Sequence, residues 1–296
     1  MRKTVLFFLA AAVAFTLSAA PRIDAKETNL GDGRTLYKKT VHLNNGSLNI
    51  AYATRDGVNV ERKKYGESFF GFVFGGLPNI NGGWSPWDFC RCLEYVKGKG
   101  VFNLFQTRVP KNITVNQVNG IAIVDMTYPA FQKGEVKIRM MQFPAHPEWT
   151  FIRIQGIDFE PWRIDFIAYP YKADLPKERE RFIRYPGGDH NITVTKNKHN
   201  YVPEEPFIAL YNKKAQETAG NLFVFEPEKY KTAEGICYGA GAEIRLRTQT
   251  GIPSFCFALG SFKNKPAAEA LNHFFNEEGS TISKFLEEID WNLKAK

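Results

Sequence analysis

Apolar and polar positions alternate in short runs from about residue 39 to about residue 262, and Gly, Pro and Asn interrupt them. A period of two places alternate side chains on opposite faces of a strand, so each run predicts a strand with one face buried. Val41 to Thr54 alternates around Asn44, Asn45 and Gly46, which predicts a first hairpin. Val101 to Val109, Ile113 to Val118 and Ile121 to Tyr128 follow, with Asn119 and Gly120 as a second hairpin turn. Glu135 to Phe143 and Trp149 to Asp158 flank a loop, Pro144 to Glu148, and Arg163 to Tyr171 comes next. Further strands are expected at Asn191 to Lys196, Phe207 to Asn212, Leu222 to Phe225, Glu243 to Gln249 and Ser254 to Phe262. No helices alternate with them, which argues against a parallel α/β fold and for antiparallel sheets.

The pattern changes at the end of the chain. Pro266 suits a first helical turn, and Ala270, Leu271, Phe274 and Phe275 recur at helical spacing. Gly279 is expected to stop this helix. Ser280 or Thr281 would then cap a second helix running to about Trp291, with Ile282, Phe285, Leu286 and Ile289 on one face. The predicted fold is an all-β antiparallel sandwich with two short C-terminal helices, about 266–293, packed on it as a lid. Residues 26–296 are read as one domain.

The first residues show the three parts of a secretion signal. Arg2 and Lys3 open it, Val5 to Leu17 is apolar, and small residues follow at Ser18, Ala19 and Ala20. The apolar run is shorter than the roughly 20 residues that span a bilayer. Residues 1–25 are therefore expected to be cleaved, after Ala19 or Ala25, leaving a secreted or periplasmic protein with no membrane span. A net charge of +8 favours anionic partners, but the positive charges are scattered and nucleic acid is not expected. Four Cys in such a compartment could form two disulfides or none. Cys90 and Cys92 would share a strand face, and Cys237 could bridge Cys256 if their strands are neighbours. Neither a metal site nor a cofactor fingerprint is found.

Aromatic residues make up 14% of the chain, and they concentrate in Phe69 to Phe89, FFGFVFGGLPNINGGWSPWDF. Sugar rings present apolar C–H faces that stack on flat aromatic rings, so Trp84 and Trp87 are candidate ligand walls. Asn79 and Asn81 could bind hydroxyls, and Asp88 could do so or act as an acid or base. Either Trp could equally plug the core. Candidate acid/base groups elsewhere are Asp189 and His190, presented by the turn YPGGDH, and His146 in the loop between two prolines. A turn that uses Asp189 for backbone hydrogen bonds is the better reading of that cluster, and a hairpin connection explains His146 equally well. His199 is assigned a surface or packing role. Nucleophile elbows and phosphate loops are absent.

The succession from Val124 to Tyr171, with EVKIRMMQF, a short loop, WTFIRIQGID and RIDFIAYPYK, resembles the middle of a galactose-mutarotase-like β-supersandwich. The resemblance covers about 50 residues. In that family the last of these strands carries an Asn-His-Pro-Tyr-Phe pattern; matching Pro170 and Tyr171 to it places Tyr169 where the catalytic His would stand. The resemblance implies a sugar-handling fold and does not supply the epimerase's His. The expected function is a secreted carbohydrate-binding or carbohydrate-processing protein, with carbohydrate, including anionic glycan, as partner. Two rivals are a non-catalytic envelope or surface protein used for adhesion, and a lyase acting on acidic polysaccharide.

Overall fold

The computed structural model describes residues 21–31, 34–42, 47–55, 58–59, 71–75, 87–108, 110–168, 181–193, 198–212, 218–238 and 241–294. The first strands are β1 (Arg22–Gly31), β2 (Arg34–His42), β3 (Ser47–Arg55), β4 (Val58–Asn59), β5 (Gly71–Gly75), β6 (Trp87–Val96) and β7 (Gly100–Asn103). Next come β8 (Asn112–Val118), β9 (Ile121–Pro129), β10 (Glu135–Gln142), β11 (Thr150–Ile157), β12 (Arg163–Ala168) and β13 (Arg181–Tyr185). The last are β14 (Gly188–Asn191), β15 (His199–Tyr201), β16 (Phe207–Asn212), β17 (Thr218–Phe225), β18 (Tyr230–Tyr238), β19 (Gly241–Thr248) and β20 (Ser254–Lys265). They form two sheets, with every described pairing antiparallel. The larger runs β1-β2-β3-β5-β6-β12-β19-β18-β15, with β4 beside β3 and β7 beside β6; the smaller runs β14-β13-β16-β17-β20-β11-β10-β9-β8.

Alternation along the strands creates three layers. From the larger sheet, Trp87, Cys90, Cys92, Ile164, Phe166, Ile244 and Leu246 face Val124, Ile138, Ile152, Phe223 and Phe257 of the smaller sheet and build the main core. The opposite face of the smaller sheet is also apolar. There Phe151, Leu222, Val224 and Ala258 pack against Leu271, Phe274, Ile282 and Leu286 of the C-terminal helices. This explains the apolar run of β20, Phe255 to Leu259, since a strand covered on both faces has no polar side to show there.

The expected hairpins are present. Val118 pairs with Ile121 across Asn119 and Gly120, both at positive φ as such a two-residue turn requires, and His42 pairs with Ser47. Two expectations are corrected. The strand over Val101 to Val109 ends at Asn103, whose side chain accepts from Phe105 N–H at 3.2 Å and caps a helical turn, α1 (Leu104–Thr107), that buries Leu104 and Phe105. The strand over Asn191 to Lys196 is also not found where described, since only Asn191 belongs to a strand and Ile192 and Thr193 to none.

The helices α2 (Ala267–His273) and α3 (Gly279–Glu288) continue into one another through a π turn at Phe274–Glu278. Gly279 is helical, with φ −57° and ψ −44°, and does not stop the chain. It is needed for close approach: a Cβ there would lie 2.8 Å from the Phe274 carbonyl and 3.0 Å from the Phe207 ring. Thr281 bonds back to the Glu277 carbonyl at 3.3 Å and so is no cap. No helix among the described residues is long and apolar enough to cross a membrane.

Candidate functional site

The sequence-predicted residues do not converge. Trp84, Asn79 and Asn81 lie outside the described residues, and Asp88 stands on β6 with its side chain outside them. Trp87 is fully buried: its ring lies against Phe166 and Phe223, and its Nε1–H donates to the Gly260 carbonyl at 2.9 Å. The bond ties one sheet to the other, so Trp87 is a core residue and offers no wall to a ligand. His146 sits in the turn between β10 and β11, with its ring 4.3 Å from that of Phe285. Asp189 takes both forks of Arg184, at 2.6 and 2.8 Å, across the β13–β14 hairpin.

His190 points the other way, as a strand neighbour must. Its ring stacks at 3.5 Å on His199, and Tyr185 stacks on both histidines and on Tyr201. The Tyr185 hydroxyl bonds His199 Nε2 at 2.6 Å. The four rings join β14, the edge of one sheet, to β15, the edge of the other. No hydrogen bond, ion pair or ring contact connects His146 to Asp189 or His190 among the described residues.

A different constellation stands on the outer face of the larger sheet. The strand β12 sends Ile164, Phe166 and Ala168 into the core, so Arg163 and Asp165 must point outward; β19 likewise turns Glu243, Arg245 and Arg247 out. Register puts Arg91 and Arg245 on either side of Asp165. Arg163 grips Asp165 with Nε and Nη2, at 2.7 and 3.0 Å. Arg245 holds Glu243 at 2.9 and 3.3 Å, and Arg91 reaches Glu243 at 3.3 Å and Asp165 at 3.7 Å. Both carboxylates have 0% exposed side chains, whereas Arg91 and Arg163 keep 14% and 20%. The arginines are therefore the layer that meets solvent, and the acids beneath fix their orientation.

Burial first, and then the neighbouring Glu243 carboxylate, push Asp165 from the usual carboxylate range to about 7, against the pull of Arg163 and Arg91. One end of the face carries aromatic rings. Trp162, just before β12, stacks with Tyr95 at 6.5 Å and lies 3.7 Å beneath the Arg247 guanidinium. Tyr95 is 54% exposed. The signal for this site was present as Arg-x-Asp in β12 and Glu-x-Arg-x-Arg in β19, charges at period two opposite an apolar face. Among the described residues, no group of three or more His, Cys, Asp or Glu is placed to hold a metal ion. The four cysteines are buried and unbridged, and Cys237 on β18 and Cys256 on β20 belong to different sheets.

No protein-family model matches the chain, and no curated protein matches it in sequence. Solved structures match it in chain trace. A ligand-free α-N-acetylgalactosaminidase from Bifidobacterium bifidum is 6% identical at a TM-score of 0.47, over 86% of this chain and 39% of its own. An α-galactosidase from Lactobacillus brevis is 9% identical at 0.39, over 83% and 40%. A candidate aldose 1-epimerase from Klebsiella pneumoniae is 8% identical at 0.41, over 93% of both chains. The last is of the mutarotase-like kind that the strand order from Val124 to Tyr171 resembles. The chain spans about two fifths of the length of the first two. At these identities the likeness is one of fold, and at these TM-scores it carries no argument about chemistry.

Proposed function

We propose that this is an exported protein that binds carbohydrate on the outer face of its larger sheet. One observation carries the reading: a row of oriented arginines, Arg91, Arg163 and Arg245, beside the half-buried Trp162 and the exposed Tyr95. Flat rings receive the apolar faces of sugars, and fixed guanidinium N–H groups donate to ring hydroxyls. Preorganisation matters here, because arginines already held by Asp165 and Glu243 lose little further freedom on binding. A glycan screen with Trp162→Ala and Arg245→Ala tests it. Binding lost in both variants is the expected result, with Trp162→Ala keeping the wild-type melting temperature and Arg245→Ala lowering it, because Glu243 loses its buried partner. Binding that survives both, or no binding to any glycan, would move the network to a purely structural role, tying β6, β12 and β19 together.

A further inference from the structure

We infer that the ligand of this face carries a carboxylate, and that Arg247 on Trp162 is its receptor, so that the substrate class is a uronate-bearing glycan. The inference rests on the carbohydrate reading of the same face and adds what distinguishes one sugar from another.

Arg247 differs from its neighbours. Arg91, Arg163 and Arg245 each answer a carboxylate. Arg247 stands opposite Arg163 in register, yet no carboxylate among the described residues pairs with it. Its contact is a ring: the guanidinium carbon lies 3.7 Å from the Trp162 centroid, the distance of a flat stack, while Arg163 reaches the same ring from 5.4 Å. A stacked guanidinium has its plane fixed, and its N–H edge, which meets no carboxylate among the described residues, matches the two oxygens of a ligand's carboxylate. Holding an arginine beside Arg163 with no paired acid among the described residues leaves positive potential that a ligand's anion would answer.

Position supports the same assignment. Arg245 lies two residues back along β19, roughly 7 Å away on the same face, with Asp165 beside it. A carboxylate held at Arg247 therefore places its sugar ring toward Arg245 and Asp165, while Tyr95 and Trp162 flank the end where the chain continues. An apolar or neutral ligand would leave Arg247 unanswered.

The test is equilibrium binding of oligogalacturonate, oligoalginate and hyaluronan oligosaccharides, each compared with its carboxyl-reduced counterpart. Sulfated galactan and neutral oligosaccharides complete the set. Wild-type protein is expected to bind at least one uronate oligomer roughly 10- to 100-fold tighter than the reduced form, the range for hydrogen bonds to a charged group. Arg247→Ala should bring that ratio close to one, and Arg247→Lys, which keeps charge but loses the fork, should lower it several-fold. If Arg247→Ala does not fold, the lysine variant decides. Equal binding of acidic and reduced forms, a preference that survives both variants, or tighter binding of the sulfated galactan would overturn the assignment. Neutral sugars bound through Trp162 would defeat this inference and leave the carbohydrate reading standing, whereas no binding of any glycan would defeat both.

Discussion

Arg163 holds Asp165 from two positions back along the same strand, Nε donating to Oδ1 at 2.7 Å and Nη2 to Oδ2 at 3.0 Å. Residues at this spacing share a face, so the pair needs no turn or loop to form it. The carboxylate lies wholly beneath the guanidinium, and a second carboxylate, Glu243, reaches the same Arg91 nitrogen. Burial first, and then the neighbouring Glu243 carboxylate, hold Asp165 above the usual carboxylate range.

Asp165 makes stability depend on pH. Its folded pKa stands above its ordinary value of 3.8, at about 7, so the folded protein holds the proton more tightly than the unfolded chain. Its contribution is fully present below the ordinary value and is lost as pH rises through about 7. Urea midpoints should therefore fall between about pH 5 and about pH 8 in the wild type, and the fall should shrink in Asp165→Asn. A midpoint that rises over this window equally in both proteins would contradict the assignment.

Trp87 is expected to act on stability and not on a ligand. Trp87→Ala empties a site between Phe166 and Phe223 and should cost about 3–5 kcal/mol in denaturant unfolding. Trp87→Phe keeps most of the volume but strands the Gly260 carbonyl, at about 1–3 kcal/mol. A Trp87→Phe protein of wild-type stability that has lost glycan binding would be the opposite outcome.

Gly279→Ala should lower the melting temperature, although alanine in a helix normally stabilises relative to glycine by about 0.5–1 kcal/mol. The added Cβ meets the Phe274 carbonyl, which belongs to the π turn, and the Phe207 ring of β16, so one of them must shift. A raised melting temperature would show that the turn relaxes.

Export should remove the leader after Ala19. The strand β1 begins at Arg22 and pairs Arg22 to Ala25 with His42 to Lys39, so a cut after Ala25 would take away four paired residues. N-terminal sequencing of exported protein is expected to start at Ala20; a start at Lys26 would contradict this.

Much of the fold was legible because β9 to β12 and β20 alternate or run apolar in ways that periodicity reads directly, and Asn119 with Gly120 announces its own turn. The site was less so. Rare residues such as Trp87, His146 and His190 stand out in the sequence, whereas the outer face is built from arginines and acids that look like ordinary strand surface. Their meaning depends on register: only the pairing of β6, β12 and β19 shows that Arg91, Asp165 and Arg245 are neighbours. Gly279 misled for a related reason, since a glycine that permits close packing and one that ends a helix look alike until Phe207 is placed.

Hydrogen–deuterium exchange with a saturating glycan tests the central claim most directly, because it locates the bound surface without any substitution. Slowed exchange at Leu93 to Val96, Trp162 to Asp165 and Glu243 to Arg247 is the predicted footprint. Slowed exchange confined to Phe69 to Phe89, with β12 and β19 unchanged, would contradict the account and return the ligand to the aromatic stretch.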